Sequence, residues 1–325
     1  MEKKGTSKET KIYSRKDVGL NRVRNVRTNS TFGKAIAVVC SDIHLSDKPP
    51  VYRSKEKDWF EAMQRPLQEM EELAHELDVD ILCAGDIFDK WNCSPALINF
   101  AMVTLPKMKS IPGQHDLPYH SYDQLEKSAY YSLSLHDRLD HLSNDTVTPY
   151  HSNNNFAVHP YGWNASLKMN EEPQMLNIAL IHKYIWRKGN TYPGADPTGH
   201  VEMIAKKLSH CDVIICGDNH SGFEYKAGSS FIFNCGTFMR RTLADENYSP
   251  GCGILYENGT VRRYLFDTKE EVYLEREQIQ NSYEFEMDKL KKELESLGSS
   301  NIDFVEELRR RYKEHKLEDQ TIQII

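Results

Sequence analysis

Five apolar runs in this chain each end in aspartate, histidine or an amide, and that repetition constrains the fold more than any other feature. Val79-Asp80-Ile81-Leu82-Cys83-Ala84 leads into Gly85-Asp86-Ile87-Phe88-Asp89. The others are Val38-Val39-Cys40-Ser41-Asp42-Ile43-His44, Ile111-Pro112-Gly113-Gln114-His115-Asp116, Ile178-Ala179-Leu180-Ile181-His182, and Val213-Ile214-Ile215-Cys216-Gly217-Asp218-Asn219-His220. A short continuous apolar run closed by a glycine turn reads as a buried strand. Its polar end then stands at the carboxyl edge of a sheet, where α/β proteins place their ligands. Oxygen and imidazole donors held on fixed backbone suit metal ions, so the set points to a two-metal hydrolase.

Helical patterns lie between the runs. Trp59, Phe60, Met63, Leu67, Met70, Leu73, Ala74 and Leu77 recur at helical spacing, with Pro66 expected to kink or restart that helix. Ser94-Pro95 reads as an N-cap followed by proline at the first helical position, opening a helix over Ala96 to about Leu105. This alternation indicates an α/β core. After Gly217 the pattern turns β-rich, with runs at 230–236, 252–256 and 261–266, the last two joined across Glu257-Asn258-Gly259. From about residue 270 the character changes: Ile279, Tyr283, Met287, Leu290, Leu294 and Leu297 form one helical stripe, and a second helix is expected up to about Lys316. That pair either packs on its own core or docks a partner.

Charge is unevenly spread. Residues 1–34 hold ten Lys or Arg against three acidic residues, a surplus of seven, so with a net charge of −7 the remainder carries −14. A basic arm on an acidic body attracts nucleic acid or an acidic partner, or is simply a solvated tail. The seven cysteines form no Cys-x-x-Cys pair, and Cys40, Cys83, Cys211 and Cys216 sit in or beside apolar runs, as buried thiols do. No stretch approaches a membrane span and no secretory-type apolar segment opens the chain, so a cytoplasmic protein is expected.

Asp42-x-His44, Gly85-Asp86-x-x-Asp89, Gly113-Gln114-His115-Asp116, His182 and Gly217-Asp218-x-His220 resemble the five ordered motifs of calcineurin-like metallophosphoesterases. Within that superfamily they are most similar to SbcD-type DNA repair nucleases, phage recombination nucleases included. The Gly-Asp-x-Phe-Asp form and the segment Asn234 to Arg241 carry that finer likeness. The resemblance covers roughly residues 35–268 and implies a four-layer α/β/β/α sandwich, flanked by a basic tail over 1–34 and a C-terminal helical extension over 269–325. A phage-encoded chain would work in the host cytoplasm.

By the same resemblance, Asp42, His44 and His220 hold one divalent ion, Asp86 bridges two, and Gln114, His182 and Asp218 complete the second. A shared carboxylate is also what chemistry favours between two close dications. His115 resembles the general acid for the leaving group, with Asp116 orienting its ring. The family usually has Asn at the position of Gln114 and His at that of Asp218. Both changes add oxygen character, favouring Mn²⁺ or Mg²⁺. Asp89 either supports a ligand from behind or caps the next turn. Arg187, Arg240 and Arg241, together with Arg53 and Lys183, follow the motifs on loops and are candidates for holding phosphates. Implied partners are DNA and an SbcC-type SMC-like ABC ATPase, with a homodimer left open. The alternatives are a small-molecule or nucleotide phosphoesterase, and a scaffold that binds without cleaving.

Overall fold

The computed structural model describes residues 32–144, 146–150, 155–168 and 174–275. The basic tail and the C-terminal helical stripe lie outside the described residues.

Two six-stranded sheets carry the molecule. The first contains β1 (Ala35–Cys40), β2 (Asp80–Cys83), β3 (Met108–Ser110), β4 (Leu139–His141), β11 (Gly251–Tyr256) and β12 (Val261–Leu265), in the order β12-β11-β1-β2-β3-β4. The second contains β5 (Thr148–Tyr150), β6 (Phe156–Tyr161), β7 (Leu176–His182), β8 (Val213–Gly217), β9 (Phe223–Ala227) and β10 (Ser230–Asn234), in the order β5-β6-β7-β8-β10-β9. Inside each sheet the pairs that lead to the five motifs are parallel: β1 with β2, β2 with β3, β7 with β8. Parallel pairing brings the polar ends to one edge of each sheet, and the two edges meet where the Asp218 N–H donates to the Asp42 carboxylate.

These strands are apolar throughout because both of their faces are covered. On β7, Ile178 and Leu180 enter the core between the sheets, while Ala179 and Ile181 face the opposite layer. On β8, Val213 and Ile215 alternate with Ile214 and Cys216 in the same way. Three helices, α1 (Trp59–Leu77), α2 (Pro95–Thr104) and α3 (Ala129–Ser134), pack on the outer face of the first sheet. The outer face of the second carries α4 (Val201–Lys207). The result is an α/β/β/α sandwich. Among the described residues no helix is long and apolar enough to cross a membrane.

Helix α1 opens on an Asp58 N-cap, whose side chain accepts from the Glu61 N–H, and ends on Asp78 in a left-handed conformation. It runs through Pro66 as one element, with that ring buried on its apolar face. The expected restart is therefore absent: burial of the ring compensates for the missing hydrogen bond. Helix α2 starts as the sequence indicates, with Ser94 accepting from the Leu97 N–H at 3.2 Å and Pro95 in the first turn. Strands β11 and β12 form the expected antiparallel hairpin, with Gly259 at positive φ in the turn.

The chain after β12 stays on this body as far as Tyr273. Arg53, wholly buried, pairs with Glu56 at 2.6 Å and Glu271 at 3.1 Å, and lies over the rings of Trp59 and Tyr273. It is a structural clamp and has no guanidinium face to offer a phosphate.

Candidate metal centre

At the shared edge the chain leaves its strands in a left-handed conformation, at the ligand residues themselves. Asp42, His44, Asp86 and Asp218 have φ of 53°, 51°, 56° and 76°. Such values are uncommon outside glycine and concentrate at functional sites, where surrounding structure holds them. Here the loops brace one another. The Asp42 N–H donates to the Gly85 carbonyl and the His44 N–H to the Asp86 carbonyl, both at 3.0 Å. Gly113 must be glycine, since a side chain there would collide with the Asp86 carboxylate.

These turns gather seven side chains. His44 Nε2 lies 3.1 Å from His220 Nε2, 3.8 Å from Asp42 Oδ1 and 3.7 Å from Asp86 Oδ2. On the other side of Asp86, His182 Nε2 lies 3.5 Å from the same Oδ2 and 2.6 Å from Gln114 Oε1. The Gln114 amide then donates to Asp218 Oδ1 at 2.8 Å. His115 closes a further group with His44 and Asp86.

Several details fit metal ions. Asp86 Oδ2 is buried and accepts no hydrogen bond, yet it sits between the imidazoles of the two halves. An orphaned carboxylate oxygen in a dry site is costly unless a cation meets it. The Nδ1 of His182 is 2.5 Å from the Ala84 carbonyl, so it keeps its proton, and Nε2 is the nitrogen that would meet a cation on giving up its own. His44 and His220 point ring nitrogens at each other, a posture that one shared cation relieves. Asp42, His44 and His220 would hold one ion, Asp86, His182, Gln114 and Asp218 the other, with Asp86 common to both. Bound there, divalent cations supply Lewis acidity at a phosphate and lower the pKa of a water.

Electrostatics reflect the crowding. Burial pushes the Asp42 carboxyl up to about 6, against the pull of His220 and His182. Burial would raise Asp86 as well, but His182 and His44 outweigh it and hold that carboxyl well below its ordinary range. For His182 burial opposes the charged ring, yet Asp86, with Asp42 and Asp218, keeps it well above the usual histidine value. Burial holds His44 well below that value, so its ring is neutral.

Asp116 has a different role from the expected one. Its carboxylate accepts from the backbone N–H groups of Ile87, Phe88 and Gly113, at 3.3, 3.0 and 3.0 Å, and so knits two motif loops together. Burial, with Asp86 nearby, nevertheless pushes its carboxyl up to about 7. The His115 ring is held instead by the Asp89 carbonyl, 2.8 Å from Nδ1, which leaves Nε2 to face the reaction. Asp89 also pairs through Oδ1 with Arg241 at 2.6 Å and lies 3.7 Å from His44 Nδ1. Arg241 is therefore a brace for the ligand frame.

Arg240 donates to the Tyr248 carbonyl at 2.6 Å and the Tyr273 hydroxyl at 3.1 Å, which ties it to the fold. Arg187 is exposed and lies over the Phe223 ring. Neither is built into the metal centre. Sequence reading passed over a cleft of about 370 Å³ beside it, bordered by His182 and Asp218 and walled by Trp163, Tyr184 and Tyr192, with Lys183 at its side. These residues come from loops without periodicity; a cluster of aromatics after β6 and β7 was the available signal.

Residues 37–222, more than half of the chain, match the family model described as calcineurin-like phosphoesterase, and the chain belongs to that family. No curated protein sequence matches it. Among solved structures it is similar to an archaeal phosphodiesterase (12% identity, 71% of this chain and 99% of the other, TM-score 0.37). It is also similar to the sulfate thiohydrolase SoxB of Thermus thermophilus (12%, 74% and 58%, 0.44). A third is the vacuolar protein sorting 29 of Cryptosporidium parvum (16%, 75% and 95%, 0.37). At such identities and scores none of the three informs the chemistry of this chain.

Proposed function

We propose that this metallophosphoesterase is a DNA nuclease of the SbcD type, cleaving phosphodiesters with two Mn²⁺ ions. The observation that carries the reading is the aromatic cleft beside the metal ligands His182 and Asp218. Its size suits a nucleobase and its walls suit stacking, which contributes about 1–3 kcal/mol per base. Tyr192 is 53% exposed and packs against Tyr184 at 5.0 Å, ring to ring, so a base stacked on it would extend an existing aromatic pair. Lys183 stands where a neighbouring phosphate needs a cation. As the imidazolium, with Nδ1–H on the Asp89 carbonyl and its second proton on Nε2, His115 gives that second proton to the departing sugar oxygen and is left neutral.

Such a subunit works with an SMC-like ABC ATPase that gates access to DNA, in the cytoplasm or in a host cytoplasm. Support for that partnership is the likeness of the motif sequences alone.

The test is Mn²⁺-dependent degradation of end-labelled duplex and single-stranded DNA by wild type, Asp86→Ala and His115→Ala. The reading requires cleavage by wild type and its loss in both variants. A second reading, a nucleotide phosphoesterase, is favoured by the small size of the cleft. Hydrolysis of nucleotides with DNA untouched, with and without the ATPase, would replace the first reading by the second. Salt separates them too: cleavage of long DNA falls steeply with ionic strength, whereas nucleotide turnover does not.

A further inference from the structure

A second group of potential ligands lies on the outer face of the second sheet, away from the reaction edge. His159 on β6, and His210 and Cys211 in the turn between α4 and β8, place a ring nitrogen each and a thiol sulfur within 4.8 Å of one another. The two rings meet edge to face at 5.2 Å. This group neighbours Asn177, near the start of β7, whereas His182 ends the same strand.

His159 is preset as a donor. Its residue is only 2% exposed, and its Nε2 lies 2.8 Å from Asn177 Oδ1. The Asn177 amide nitrogen donates to the Met175 carbonyl at 3.0 Å, which fixes the amide with its oxygen toward the ring. The proton therefore resides on His159 Nε2, and the lone pair is on Nδ1. That Nδ1 is buried and has no hydrogen-bond partner. A histidine that gives one ring N–H to an amide oxygen and turns the other nitrogen inward has the arrangement found at metal sites. Asn177 also anchors the other half: its carbonyl accepts from the Asp212 N–H at 2.8 Å, and its N–H donates to the Asp212 carboxylate at 2.9 Å. One residue thus sets both the ring and the turn that bears His210 and Cys211.

We propose that His159, His210 and Cys211 form a separate site for a borderline-soft divalent cation of the zinc type. Two imidazoles and a thiol suit Zn²⁺, in contrast to the oxygen-rich reaction centre, and half-buried His210 leaves room for a water as fourth ligand. Burial pushes the Cys211 thiol up to about 12, so uptake of the ion releases that proton to water. The cation would join β6 to the α4–β8 turn.

The test is titration of chelator-treated full-length protein with Co²⁺ alone, followed by near-ultraviolet absorption. No cysteine belongs to the donor groups of the reaction centre among the described residues, so a thiolate-to-cobalt charge-transfer band reports this site. We expect the band to grow until one cobalt fills this site, whatever the reaction centre also takes up, and to be retained in Asp86→Asn and lost in Cys211→Ser, with Mn²⁺-dependent diester hydrolysis unchanged in the latter. Should Cys211→Ser fail to fold, His210→Ala, at a half-buried position, must weaken or remove the band. Absence of the band in wild type, its survival in folded Cys211→Ser, or an undiminished band in folded His210→Ala would overturn the proposal.

Discussion

The two sheets contribute unequal halves to one centre. From the first come Asp42, His44 and Asp86, which are 0–1% exposed, together with the amide cradle around Asp116. From the second come His182, which is also buried, Asp218, and His220 with 43% of its side chain exposed. The aromatic cleft belongs to the second half as well. One half is a sealed frame in which every loop is hydrogen-bonded to its neighbour; the other is a wall that meets solvent. Ligand geometry is thus fixed where water is excluded, and the aromatic walls stand where solvent reaches.

Substitutions should divide along that line. The largest effect is expected for Asp86→Asn in the sealed half: loss of diester hydrolysis by at least about 10³-fold, since the shared carboxylate serves both ions. His115→Ala should cost about 10²-fold or more on DNA, whose leaving alkoxide needs a proton. On bis-p-nitrophenyl phosphate, which needs none, the same variant should lose far less. Equal losses on the two substrates would remove His115 as the acid. Asp89→Ala, which releases Arg241 and removes the carboxylate beside His44 Nδ1 while keeping the carbonyl that holds the His115 ring, should weaken metal affinity about 10- to 100-fold, read by calorimetry.

In the open half, Tyr184→Ala and Tyr192→Ala should raise KM for nucleic acid about tenfold, within the range for one stacked base. Turnover of the small diester should be unaffected. A loss on both substrates would mean that the cleft wall supports the ligands and does not read the base.

The smallest effect concerns pH. His182 is held well above its unfolded value of about 6.5. A raised histidine contributes stability that is complete below that value and is lost as pH rises through the folded one. The metal-free protein should therefore lose stability from about pH 6.5 upward, and His182→Gln should flatten that slope in thermal melts. Cation binding must displace the same proton, so metal affinity should rise over this range.

Much of this centre was legible because a buried parallel strand makes an apolar run and its end must carry the polar chemistry. Asp42, His44, Asp86, Gln114, His115, His182, Asp218 and His220 all stand at such ends. The hairpin at Gly259 and the start of α2 were legible for local reasons of turn and cap chemistry. Strands β3, β4 and β5 have three residues each, too few to show a period. Asp116 and Asp89 exchange roles because backbone groups, which sequence does not mark, hold the His115 ring and receive the carboxylate. Arg53, Arg240 and Arg241 read as free cations, yet each has a partner well along the chain, Glu271 for Arg53, Tyr273 for Arg240 and Asp89, 152 residues away, for Arg241.

The central claim is that this edge holds catalytic cations through Asp86. It is tested most directly by stripping the protein with chelator, restoring Mn²⁺ stepwise, and following bis-p-nitrophenyl phosphate hydrolysis in wild type and Asp86→Asn. No activity is expected without metal, with recovery in wild type as two equivalents bind and none in the variant at any Mn²⁺ level that saturates wild type. Hydrolysis that survives chelation, or an Asp86→Asn variant as active as wild type, would contradict it.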